Sequence, residues 1–402
     1  MALRRSMLCG LWACVALGGG SAEAATPLHP THGEEVIEVL PSVTRVRLSA
    51  RTTPSAKPDL GSALQVARAA VQDARESGEA RYWGRAQAAL APWWDAADAP
   101  TAAAVLQATV QQGRHEFAAA RRVLINSVAR EPGNAQAWLN LAALERLSGQ
   151  YPQALHACAA VARAGQALYA QACALETQSL QGRHQDAATG LQHLLAQTHD
   201  RGQRAWLLSL AAENEERAGH DGAANRAYVA SLSLAPDLYT SLAHSDLQLR
   251  TGQTARALQT LRQLPETDAV LLRRARAMQR LNQPAWAGLR ATLREREQAL
   301  QQRGDDLNVH GRERALAALW LDHDPRQALV LARDNLKLQR EPIDWWLALH
   351  SAYQAGDTQA LAELQREVAL TGLRDARLNR LTHGAPERSK IDRPHPTTQA
   401  RL

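Results

Sequence analysis

Near the start of the chain His29-x2-His32 is followed directly by Glu34-Glu35. Imidazole and carboxylate at such short spacing can wrap one divalent ion, while solvated leader residues are the preferred reading. Asp322-His323-Asp324 offers the same donor types just before Pro325, but Asp324 also suits the N-cap of the helix that Pro325 would open. Capping is preferred there, and no residue is assigned as a metal ligand. Arg273, Arg276 and Arg280 recur at spacings of three and four, which puts them on one helix face with Arg274 beside it. This positive stripe suits an anionic partner, phosphate-bearing or carboxylate-rich; the competing reading is a solvated face.

The motifs of covalent and phosphate chemistry are missing. The chain has no G-x-S-x-G elbow, no G-x-x-x-x-G-K-[ST] loop, no G-x-G-x-x-G and no H-E-x-x-H. The reading is therefore of a protein that is not an enzyme and carries no cofactor.

Compartment follows from the first 24 residues. Arg4 and Arg5 precede an apolar run over 7–17, and Ala22-Glu23-Ala24 offers small residues where a signal peptidase reads, with Ala25 as the new N-terminus. The run is too short for a membrane anchor, and no later window is long and apolar enough to span a bilayer. A lipoprotein attached at Cys14 is the lesser alternative. The Arg-rich, Ala-Leu-rich composition fits a Gram-negative bacterium, so the expected location is the periplasm. Cleavage removes Arg4, Arg5 and Glu23 and takes the formal charge from +6 to +5, a mild excess that does not imply nucleic-acid binding. Export argues against nucleic acid as well. Cys9 and Cys14 leave with the signal, which excludes a four-thiolate zinc site. Cys158 and Cys173 remain in an oxidising compartment, where they are either a disulfide or two small buried apolar residues.

The elements that would position these groups are helices. Residues 25–58 carry Pro27, Pro30, Pro41, Pro54 and Pro58 and read as an extended leader. Helical periodicity begins at Asp59, and residues 59–100 read as a degenerate capping hairpin. From 101 to 269 a pattern returns about every 34 residues: an apolar helix-length stretch, a Gly-containing break, a fixed Ala, and an apolar residue four further on. Ala120, Ala154, Ala187, Ala224 and Ala257 are the fixed positions, and the clearest unit holds Trp138, Leu141, Ala142, Gly149, Tyr151, Ala154 and Cys158. In residues 270–382 the helical period continues while the anchors fade, as degenerate repeats or a cap. The tail 383–402 is Pro-rich, basic and expected to be disordered.

Period and anchors together resemble those of secreted bacterial tetratricopeptide repeat proteins. The resemblance implies an all-α, right-handed solenoid of helical hairpins, each burying its apolar face against its neighbours. It also implies a ligand groove on the concave side, lined by the first helix of each hairpin. Carried onto this chain, the lining is Gln136, Leu139, Ala143 and Arg146, then Tyr169, Glu176 and Ser179. The next two hairpins add Trp206, Ser209, Glu213 and Glu216, then Tyr239, Leu242 and Asp246. Asn140 occupies the Asn position of the family's carboxylate clamp, but Val105, Thr109, Tyr169 and Cys173 stand where that mode needs cations.

Tyr169, Trp206 and Tyr239 would form an aromatic ladder beside a negative strip of Glu176, Glu213, Glu216 and Asp246, suited to a basic or extended peptide. The alternative is that the rings pack between helices and the acids are solvated. The functional expectation is a non-catalytic periplasmic scaffold binding a protein or peptide in its groove. The alternative is an accessory protein handling a small ligand or metal through the His29/His32 leader or the Arg273 stripe.

Overall fold

Asp59, Asn134, Asp200, Asp237, Asp324 and Asp357 each accept a hydrogen bond from the backbone N–H three residues on, and a helix starts directly after each. Each such cap satisfies one of the N–H groups that a helix start leaves without a partner. Asp324 is therefore a cap, while Asp322 pairs with Arg290 and Arg294. The computed structural model describes residues 59–382. The signal segment, Cys14, the leader with His29, His32, Glu34 and Glu35, and the tail 383–402 lie outside them.

The described residues form nineteen α-helices. They run as hairpins: α1 (Leu60–Ser77) with α2 (Ala80–Leu90), α3 (Thr101–Gly113) with α4 (Phe117–Arg130), and α5 (Ala135–Leu147) with α6 (Tyr151–Arg163). Then come α7 (Ala167–Leu180) with α8 (His184–Gln197), α9 (Arg201–Ala218) with α10 (Asp221–Leu234), and α11 (Leu238–Arg250) with α12 (Thr254–Leu261). The last are α13 (Asp268–Arg280) with α14 (Trp286–Gln302), α15 (Gly311–Trp320) with α16 (Pro325–Asn335), α17 (Pro342–Ala355) with α18 (Thr358–Thr371), and the single helix α19 (Ala376–Thr382). This is the expected right-handed α-solenoid, with no strand among the described residues. None of these helices is long and apolar enough to cross a membrane.

The fixed alanines show why the hairpins close. Ala120, Ala154, Ala187, Ala224 and Ala257 are all fully buried, because the two helices of a hairpin cross at that point. Ala224, for example, packs with Ala212, Tyr228 and Leu247, drawn from three successive helices. Replacing Ala224 by Trp should therefore cost about 1–3 kcal/mol or more through overpacking. Thermal unfolding reads this directly, and an unchanged transition would mean that the assigned crossing point is wrong.

Cys158 on α6 and Cys173 on α7 form a disulfide with Cα atoms 5.6 Å apart, stapling one hairpin to the next. The first turn of each repeat reverses through a left-handed residue, which is Gly149, Gly182, Gly219 and Gly252 in four hairpins. In the α3–α4 hairpin that residue is His115, at φ 61°.

The hairpins continue past residue 269 and bring the chain back onto itself. Gly78 sits so close to Thr267 that a Cβ there would overlap the threonine methyl. The carbonyl of Leu147 accepts from the Arg340 N–H at 2.7 Å, and that of Leu180 accepts from the Arg374 N–H at 2.8 Å. These contacts join residues 189, 193 and 194 positions apart, so one superhelical turn consumes nearly the same length of chain each time. The largest apolar core records the closure, because Tyr151 and Leu180 from the first turn belong to it together with Trp345, Leu349, Leu364, Leu373 and Leu378. The helix α19, at the end of the 270–382 stretch expected to be degenerate repeats or a cap, completes this seam.

Candidate functional site

Tyr169, Trp206 and Tyr239 lie in the first halves of α7, α9 and α11, but they are not equivalent. Trp206 is half-buried in the core between α7, α8 and α9, with Leu168, Leu175 and Leu195. The Tyr169 ring lies 5.5 Å from it, centroid to centroid, and the Tyr169 hydroxyl accepts from Gln203 at 3.2 Å. These two rings mainly hold neighbouring hairpins together. Tyr239 is 62% exposed and donates its hydroxyl to Glu213 at 2.9 Å. The neighbouring Glu213 carboxylate raises its phenol well above the ordinary value.

The acids of the strip are matched by arginines. Arg146 pairs with Glu176 at 2.9 Å, Arg217 with Glu213 at 3.4 Å, and Arg273 grips Asp246 through two bonds of 2.7 Å. These positions thus form a ladder of opposite charges rather than a negative strip. Glu213 is the rung with the longest ion pair: burial raises its carboxyl pKa, and the charge of Arg217 at 3.4 Å opposes that rise without cancelling it. Glu216 stands apart from that ladder. It is buried, accepting from Tyr228 and Arg250 at 2.8 and 2.9 Å, with Arg377 of α19 at 3.6 Å. Gln136, Asn140 and Thr109 form a small polar chain on α5 and α3, and Leu139 packs beside the Cys158–Cys173 pair.

The arginine stripe of α13 is engaged within the fold. Arg273 is buried against Asp246, Arg276 donates to the Trp320 carbonyl at 2.8 Å, and Arg280 donates to the Leu249 carbonyl at 2.5 Å. An anion-binding face needs these guanidinium groups turned outward, and here they tie α13 to the chain on either side. The geometry therefore corrects the expectation of an anionic partner at this stripe.

Asn214, Arg217, Arg312 and Glu341 join the site without a place in the sequence reading, and Ser179, read there as groove lining, is buried instead. Ser179 donates to Asn214 at 2.6 Å and accepts from Arg217 at 2.9 Å, a buried network that sets the spacing of α7 and α9. Glu341, at the start of α17, adds its negative charge to those felt by Glu213 and Tyr239. Arg312 on α15 holds Glu341 at 2.5 Å and Asp344 at 2.7 Å. Burial works against the Arg312 charge, but the two carboxylates outweigh it and hold the guanidinium well above its ordinary value. The spacing of Arg217 four residues after Glu213 is a visible signal. Glu341 has none, because only the return of the chain after a full turn brings it here.

No protein-family model matches the chain, and no curated protein does. Among solved structures it is similar to a Rap protein complexed with competence and sporulation factor, at 9% identity over 82% of this chain and 90% of that one, with a TM-score of 0.52. It also aligns with the APC/C hetero-tetramer Cut9-Hcn1, at 15% identity over 70% of this chain and 48% of that one, with a TM-score of 0.34. A third match is the P58(IPK) TPR domain, at 14% identity, covering 77% and 99%, with a TM-score of 0.25. The first of these likenesses establishes fold, and the fold is that of a tetratricopeptide solenoid.

Proposed function

We propose that this chain is an exported, non-catalytic scaffold that holds an extended segment of a partner protein or peptide on its concave face. The Tyr239–Glu213 pair carries the reading. It combines an exposed aromatic ring with a phenol and a carboxylate beside it, a combination that anchors peptides at low entropy cost. The alternating charges of the ladder favour a segment with both polar and aromatic side chains over a uniformly basic one. A Rap protein of similar fold is described in complex with a factor, which is consistent with a solenoid of this kind serving as a receptor. The signal-like first 24 residues support a periplasmic location, and the Cys158–Cys173 disulfide supports an oxidising compartment.

The test uses the full chain immobilised against periplasmic extract, followed by titration of whatever partner it captures. Tyr239→Ala and Glu213→Lys should each weaken that binding by about tenfold or more while leaving the thermal transition in place. A partner retained equally by both variants would remove the groove from consideration.

A further inference from the structure

His115 and His184 share a set of features that no part of the proposed binding function requires. Each lies at the seam where the second superhelical pass rests on the first. His115 follows α3 and takes the left-handed turn position that glycine holds in four other hairpins, a conformation a histidine adopts at some cost. His184 opens α8 two residues after Gly182, which meets Arg374 of the returning chain. In both rings Nδ1 is buried and has no hydrogen-bond partner among the described residues. The neutral ring can keep its single N–H at Nε2. The imidazolium must place a second N–H at Nδ1, where nothing accepts it.

We propose that protonation of His115 and His184 opens this seam, making closure of the superhelix sensitive to pH. The charges around each ring decide the direction. His115 packs against Phe117 and faces Glu313, Arg312 and His310 at the start of α15 and Glu341 before α17; its own turn adds Arg114 and Glu116, which pair with each other. Glu313 and Glu341 favour the cation, while Arg312 and His310 oppose it. His184 faces Arg217 and Glu215 of α9, His220 after it, and Asp375 before α19. There too the carboxylates and the cations pull in opposite directions. Burial is the largest effect at both rings and moves both below the ordinary histidine value.

The closed seam therefore binds protons less readily than the open one. Closure is fully supported above about pH 6.5, the ordinary histidine value, and weakens as pH falls through the interval down to the closed-state values. Two sites acting together make the response steeper than one.

Hydrogen exchange of the full chain tests this, with rates corrected against an unstructured peptide, at about pH 7.5 and about pH 5.5. Residues 111–116, 178–184, 310–313 and 372–377 should lose about tenfold protection at the lower pH relative to residues 205–230 in the same run. The double variant His115→Gly, His184→Gln removes both titrations, and glycine fits the left-handed turn. It should fold and keep its protection across the interval. The same acid response in the double variant would overturn the proposal, as would a wild-type seam that stays closed. Should the double variant fail to fold, NMR titration of wild-type His115 and His184 decides. Values below the ordinary histidine value uphold the proposal, and values at or above it overturn it.

Discussion

Asp344→Ala should lower the unfolding free energy of the C-terminal hairpins by about 3–5 kcal/mol, the range for breaking a buried ion pair by removing one partner. Asp344 is fully buried at the start of α17 and uses both oxygens twice. Oδ1 accepts from Arg312 Nε and Asn335 Nδ2, each at 2.7 Å, and Oδ2 accepts from Arg312 Nη2 at 2.8 Å and the Glu341 N–H at 2.9 Å. Alanine would leave Arg312 with Glu341 alone and strip the α17 cap of half its capping box. Asp344→Asn keeps the shape and most acceptors, so it should cost less. Urea unfolding followed by circular dichroism gives both values. Because solenoids unfold in blocks, the loss belongs to the transition that contains α15–α18. A change below about 1 kcal/mol for the alanine variant would mean that the pair is not closed in solution.

Glu216→Ala should be of similar size, about 3–5 kcal/mol, and it separates two roles for one residue. Position within the repeat assigns Glu216 to the ligand groove, where its loss would cost affinity and little stability. Its surroundings make it the buried junction of Tyr228, Arg250 and Arg377. Burial and the Glu216 charge both raise the Tyr228 phenol well above its ordinary value, so that hydroxyl stays a donor at any ordinary pH. Without its acceptor Tyr228 would be buried and unsatisfied, and Arg377 would lose its tie to the first turn. The expected signature is a lower melting temperature together with faster hydrogen exchange in residues 373–382. Intact stability with weakened ligand binding would restore the groove assignment.

The repeat-level architecture was legible because its cause is local. An alanine at each crossing, a glycine at each reversal and an Asp or Asn before a helix act within a few residues, and each left a periodic mark. The seam left none. Leu147 and Arg340 meet only after a full turn of the superhelix, and their bond is between backbone groups that almost any pair of residues could supply, proline at the donor position excepted. Positions within each repeat can be numbered for the same local reason, and that numbering singles out Tyr239 and Glu213. Their electrostatics could not, since the arginine that neutralises Asp246 lies 27 residues on, in the next first helix. The stripe at Arg273, Arg276 and Arg280 failed on the same ground. Spacing puts these side chains on one helix face, and packing engages each of them with a group of a neighbouring helix.

The near-constant separation of the seam contacts bears on how such a chain can change over time. An open solenoid lengthens or shortens by one hairpin with little penalty, because each unit touches only the next. Here, gaining or losing one unit inside the first turn would displace every later residue by about 34 positions against its opposite number. The carbonyls of Leu147 and Leu180 and the close approach at Gly78 would then all face the wrong partners. Copy number in this protein is held by geometry, and natural variation in length should be found in loops and at the two ends.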